Sequence, residues 1–150
     1  MPIAHLRRLL LLAGAAISLS LAPAASGGAA SSRADQVIQF STPSKNIGCV
    51  YARISGSPTD LRCDIQSGLK PKPKRPRGCD LDWGDSLSMG KTGRVHVVCH
   101  GDTALGGPPL AYGRTWRHDG FTCTSRVTGL TCRNLSRHGF FLSRERARVF

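Results

Sequence analysis

Four histidines beyond the amino-terminal segment, His96, His100, His118 and His138, are the side chains of this chain best suited to moving protons near neutral pH. Two imidazoles beside a cation can divide acid and base roles in cleaving RNA or a glycan, so His96, His100 and His138 are the candidates for a small hydrolase. His96 and His100 stand four apart, the spacing at which a helix brings two ligands to one metal. The stretch VHVVCH is rich in β-branched residues, however, and on a strand those two positions lie about 13 Å apart. No metal site is expected there, and no cofactor anywhere. Opposite His96, Asp82 would make an oriented acid-base couple, although a wet cross-strand salt pair is the commoner meaning of such a pairing.

Other catalytic patterns are missing. No serine sits in G-x-S-x-G, and neither H-E-x-x-H nor a phosphate-cradling glycine loop occurs. Glu145 is the only glutamate, which leaves few carboxylates for glycoside cleavage. In RNLSRHGFFLSR, Asn134 and His138 beside two phenylalanines could read a sugar or base by hydrogen bonding and stacking. Asn134 and Gly139 are also turn residues, and alternate aromatics of FFL can enter a core; that structural account is preferred. Whether the chain is an enzyme stays open, with the weight on a non-catalytic role.

The strongest charge feature is SGLKPKPKRPRGCD, in which Lys70, Lys72, Lys74, Arg75 and Arg77 alternate with prolines. Proline lacks an amide hydrogen and disfavours helix for its predecessor, so Leu69 to Arg77 is expected as polyproline II or irregular coil. Its five cations then splay around the axis as a polyanion-contacting strap, or stand as a solvated linker. Asp80, Asp82 and Asp85 in CDLDWGD are placed to clamp the strap. They do not form a calcium loop, since the D-x-D-x-D-G pattern with its distal glutamate is absent.

These residues must be positioned by a small domain. The chain has 21 basic and 9 acidic residues and a formal charge of +12. Its first 30 residues, with Arg7 and Arg8 ahead of a short Leu/Ala run and small residues at Ala24 and Ala30, are laid out as a secretory signal peptide. Removing that leader leaves 19 basic against 9 acidic residues, a charge of +10. Residues 31–36 read as a flexible linker and 37–150 as one secreted cysteine-rich domain with no transmembrane segment after processing. Such a charge attracts polyanions of any kind, nucleic acid, acidic glycans, phosphate-bearing wall polymers or anionic lipid headgroups, and does not choose among them; the partner stays open, with an anionic polysaccharide or wall polymer at the cell envelope or outside it as the candidate. Nothing in the chain is a dedicated nucleic-acid signal. An extracellular inhibitor or interaction protein that presents a cystine-fixed loop is a third reading.

All six cysteines follow the leader, an even number with gaps too wide for zinc pairs, which indicates three disulfides in an oxidising compartment and excludes a thiol nucleophile. Alternation suggests which ones pair. Setting Cys49 opposite Cys63 places Ile47 against Ile65 and Tyr51 against Leu61 on one face. Setting Cys79 opposite Cys99 places Leu81 against Val97, Trp83 against Val95 and Asp82 against His96. Setting Cys123 opposite Cys132 places Ser125 against Leu130 and leaves Arg126 to Gly129 as a loop. Three sequential bridges, each within its own hairpin, are therefore expected. With glycine and proline every few residues, the fold class is all-β, a small disulfide-stitched domain of short antiparallel hairpins. A short C-terminal helix is plausible at SRERARVF, where Ser143 precedes good helix formers. NIGC and LRCDI echo GFTC and GLTCRN, which any cystine hairpin would require.

Taken together, FSTPSKNIGCVY, LRCDI, CDLDWGDSL, CHGDTALG, LAYGRTW, GFTCTSRVTGLTCRN and HGFFLSRE resemble a family of small exported actinobacterial proteins catalogued as a domain of unknown function. The resemblance spans residues 40 to 150. It implies export and a shared fold and supplies no reaction, cofactor or catalytic residue. Where that family has glycine this chain has Lys45, and where it has a smaller residue this chain has Arg137.

Overall fold

The computed structural model describes residues 34–150. The expected leader, 1–30, and the first part of the expected linker lie outside the described residues. Ten strands follow one another: β1 (Gln36–Ser41), β2 (Ile47–Arg53), β3 (Asp60–Ile65), β4 (Ser86–Gly90), β5 (His96–Val97), β6 (Thr115–His118), β7 (Phe121–Arg126), β8 (Gly129–Arg133), β9 (Gly139–Leu142) and β10 (Ala147–Val149). They form two five-stranded antiparallel meanders, β1 to β5 and β6 to β10, each strand paired with its neighbours in sequence.

Alternation explains why these segments are strands. In β2 and β3 every second residue is apolar or cystine, and the register is the one expected, with Ile47 opposite Ile65, Cys49 opposite Cys63 and Tyr51 opposite Leu61. The inner face of the second sheet carries Phe121, Cys123, Leu130, Cys132, Phe140 and Leu142, each 1% exposed or less. The two inner faces pack into one core. Trp116 stacks at 4.9 Å on Phe40, and the rings of Tyr51 and Phe121 meet edge to face. Each meander carries a cystine between its second and third strands, Cys49–Cys63 and Cys123–Cys132, with Cα atoms 4.1 Å apart in both. That spacing belongs to a cross-strand pair without mutual backbone hydrogen bonds. The echo in the sequence thus corresponds to two hairpins in the same place of two similar sheets.

Three expectations need correction. Cys79 and Cys99 are bonded, but not across one hairpin. SLSMG alternates serine with Leu87 and Met89 and forms β4 against β3, so Val97 pairs with Leu87 and His96 with Ser88. Leu81 is 55% exposed, and Asp82 bridges to His100 rather than to His96. No helix is present among the described residues. The serine at 143 does cap, accepting from the amides of Glu145 and Arg146, but it caps the turn before the edge strand β10. Arg126 and Gly129 are the last paired rung of the β7–β8 hairpin, which leaves Val127 and Thr128 as its turn.

The two outer faces differ. Residues 98–110 cross the outside of the first sheet so closely that a Cβ on Gly48 would stand 2.7 Å from Leu105 Cα. They then run beside β1, where Leu110 donates its amide to Ser41 at 2.7 Å. Among the described residues, no comparable segment is hydrogen-bonded across the outside of the second sheet.

Candidate functional site

The strap is irregular coil, as proline alternation requires, yet it is held at several points. Leu69 is buried and donates its amide to Gly84 at 2.7 Å. Trp83 donates its indole hydrogen to Pro73 at 3.0 Å, and Arg75 reaches the carbonyls of Cys79 and Leu81. The aliphatic stem of Lys72 lies across Gly84, where a Cβ would come within 2.9 Å of it. Lys70 accepts at 2.6 Å from the outward amide of Ala147 in the edge strand β10. Apart from the Arg75 guanidinium, which donates to those two carbonyls, these anchors use backbone, an indole or an aliphatic stem. All five residues are exposed, and none is in an ion pair among the described residues. A cavity of about 530 Å³ lies between strap and turn, lined by Lys70, Lys72 and Arg75 on one side and by Asp82, Trp83 and Asp85 on the other.

A second cluster sits under the crossing segment on the outside of the first sheet. Arg62 and Asp64 flank Cys63, so both point outward on β3 and form a two-bond fork at 2.8 Å. Asp64, only 2% exposed, also accepts from Ser86 Oγ at 2.6 Å and from the Ala104 amide at 2.6 Å. Arg62 reaches onward to the Asp102 carboxylate and carbonyl at 2.8 and 2.9 Å. Burial pulls against the charge on Arg62, but its bonds to Asp64 and Asp102 outweigh this and hold its pKa above the ordinary value. The same guanidinium holds the Asp102 carboxyl below the usual range. Beside them, His100 is 6% exposed and has a partner at each ring nitrogen, the Asp102 carbonyl and the Asp85 carboxylate, the latter at 3.0 Å.

The residues singled out in the sequence are not drawn into one site by hydrogen bonds or ion pairs. Asp82 joins His100 only through the backbone, by a pair of amide-carbonyl bonds. His96 is exposed on β5. Asn134 is buried and spends its side-chain amide on the carbonyls of Gly90 and Gly93, bracketing the β8–β9 turn to the β4–β5 turn. His138 sits half-buried in that turn and offers its carbonyl to Asn134 at 2.9 Å. His118 is bonded to Gln36 at 2.9 Å. The sulfurs of Cys49, Cys63 and Cys132 lie within 4.8 Å of one another, but all are oxidised, so this is two cystines meeting in the core rather than a thiolate site. Sequence reasoning missed the Arg62–Asp64–Asp102 cluster. Its signal was present in LRCDI: once Cys63 faces inward, opposite charges two apart share the outer face.

No helix among the described residues is long and apolar enough to cross a membrane, and three disulfides suit an oxidising compartment. No curated protein and no solved structure matches the chain. A model described as a family of unknown function, DUF6636, matches residues 15–150, and the chain belongs to that family.

Proposed function

We propose that this member of an uncharacterised family is an exported, non-enzymatic module that holds anionic envelope polymers through salt-sensitive contacts. One observation carries the reading: the strap is fixed to the domain without any carboxylate partner, so that Lys70, Lys72, Lys74, Arg75 and Arg77 are exposed and outside any ion pair among the described residues, Arg75 alone lending its guanidinium to two carbonyls. A cation already tethered loses less freedom on meeting a polyanion than one on a loose tail. The electrostatic part of such binding is screened beyond roughly 8 Å at physiological salt, so contact must be close and must weaken as salt rises. Retention of the oxidised protein on immobilised polygalacturonate, compared at low and high salt, tests this. Retention is expected to fall with salt, and to fall again when the five strap cations are replaced by serine. Binding indifferent to both changes would refute the reading.

A further inference from the structure

The second sheet's outer face has its own chemistry. None of its five strands contains an acidic residue, while Arg117, Arg126, Arg133 and Arg148 all occupy outward positions, with Arg146 beside them. All five are exposed, and none is in an ion pair among the described residues. The contrast with the first sheet is direct, because there the outward Arg62 is covered and matched by carboxylates. Like charges gathered on one face cost stability, and no internal counter-charge offsets them here.

The pairing register orders this face into rungs. Thr115, Thr124, Thr131, Phe141 and Arg148 form one rung across all five strands, with the first two hydroxyls 3.0 Å apart. The next rung runs Arg117, Thr122, Arg133 and Gly139, and Gly139 exchanges backbone bonds with Phe150. Both phenylalanines hold arginines. The Arg133 guanidinium lies 4.5 Å from the centre of the Phe150 ring, and those of Arg146 and Arg148 lie 5.4 and 5.7 Å from Phe141. A guanidinium resting on a ring keeps its in-plane N–H edges for an incoming carboxylate and loses less rotamer freedom when it binds.

We propose that this face is a platform for an extended, carboxylate-bearing polysaccharide of the polyuronate type. The inference rests on the anionic-polymer reading above and names its substrate class. Arginine forks match carboxylates bidentately, and threonine hydroxyls match sugar hydroxyls. Neighbouring strands are spaced about 4.8 Å apart, close to the advance of one sugar in an extended chain, so a polymer lying across the strands meets a fresh side chain at each residue. Single-stranded nucleic acid fits less well, because base stacking needs open aromatic faces and both rings here already carry guanidinium groups. The strap continues the platform: its Lys70 carbonyl is bonded to Ala147, between Arg146 and Arg148.

The test titrates polygalacturonate, neutral dextran and oligo-dT into the full oxidised protein at low salt. Two triple variants at positions 117, 133 and 148 are compared, arginine to serine and arginine to lysine, beside the five-serine strap variant. Tight binding of polygalacturonate alone is expected, weakened at least tenfold by the serine triple and at least fivefold by the lysine triple, which keeps charge but loses the fork. Since the three side chains are exposed and their mutual repulsion costs stability, no fall in urea midpoint is expected for either triple. If the strap variant loses binding while both triples keep it, the platform is refuted and the broader reading stands. If the lysine triple binds as the parent does, or oligo-dT binds more tightly, carboxylate recognition is refuted. If the parent binds no polyanion, both readings fall.

Discussion

Removing the Asp64 carboxylate should reveal what holds residues 98–106 over the first sheet. In Asp64→Ala the nearly buried Arg62 loses its two-bond partner and keeps only the exposed Asp102 as counter-charge, while the Ser86 hydroxyl and Ala104 amide lose their acceptor. Breaking a buried pair on one side costs about 3–5 kcal/mol, more than the pair's own net worth, because the remaining charge is stranded. Replacing both ends, Arg62→Met with Asp64→Leu, removes the stranded charge and should return most of that loss. Urea unfolding of the oxidised proteins measures both. Hydrogen exchange adds a local readout, since the Ala104 amide should lose protection in Asp64→Ala well beyond the global change. A loss under about 1 kcal/mol for the single variant, or a double variant as unstable as the single, would refute the reasoning.

Other outcomes follow from the same geometry. Cys49 and Cys63 enclose a separation of 14 residues and Cys123 and Cys132 one of 9; replacing the first pair by alanine should cost about 3 kcal/mol and the second slightly less, read from urea midpoints. Burial, and then the Asp119 carboxylate 2.8 Å away, raise the Tyr51 pKa. The unfolded chain therefore releases this proton first, so the contribution is whole below about pH 10 and declines as pH rises above it. Tyr51→Phe should flatten the alkaline fall in melting temperature, and an unchanged slope would contradict the assignment. Lys45 has φ of 59°, and Lys45→Gly should gain about 0.5 kcal/mol, the relief of a left-handed residue less glycine's added chain entropy.

Cystine pairing and the hairpins at Cys49–Cys63 and Cys123–Cys132 were legible because period-two alternation and a covalent constraint point the same way. The third bridge misled. Its cysteines are far enough apart to enclose another strand, and the alternation of Ser86 to Met89 competed for Val97 and won, because Leu87 and Met89 are completed by β3. Ser143 illustrates a different ambiguity, since a serine that caps a helix and one that caps a turn make the same first hydrogen bonds. The strap's coil was readable from proline, but its anchorage was not, as it depends on Trp83 meeting Pro73 ten residues back. Lys45 and Arg137 were marked by the family resemblance as departures, and both have positive φ. The arginine face was hidden because its members are spread over four hairpin-linked strands and gather only when the second meander forms.

The most direct measurement is an NMR titration of the isotope-labelled, oxidised protein with short oligogalacturonate at low salt, following backbone amides and arginine Nε signals. Shifts are expected along residues 70–77 and on the outward side of β6, β8 and β10, reversed by added salt. Signals that stay still there, or that move only around Asp85 and His100, would contradict the anionic-polymer reading.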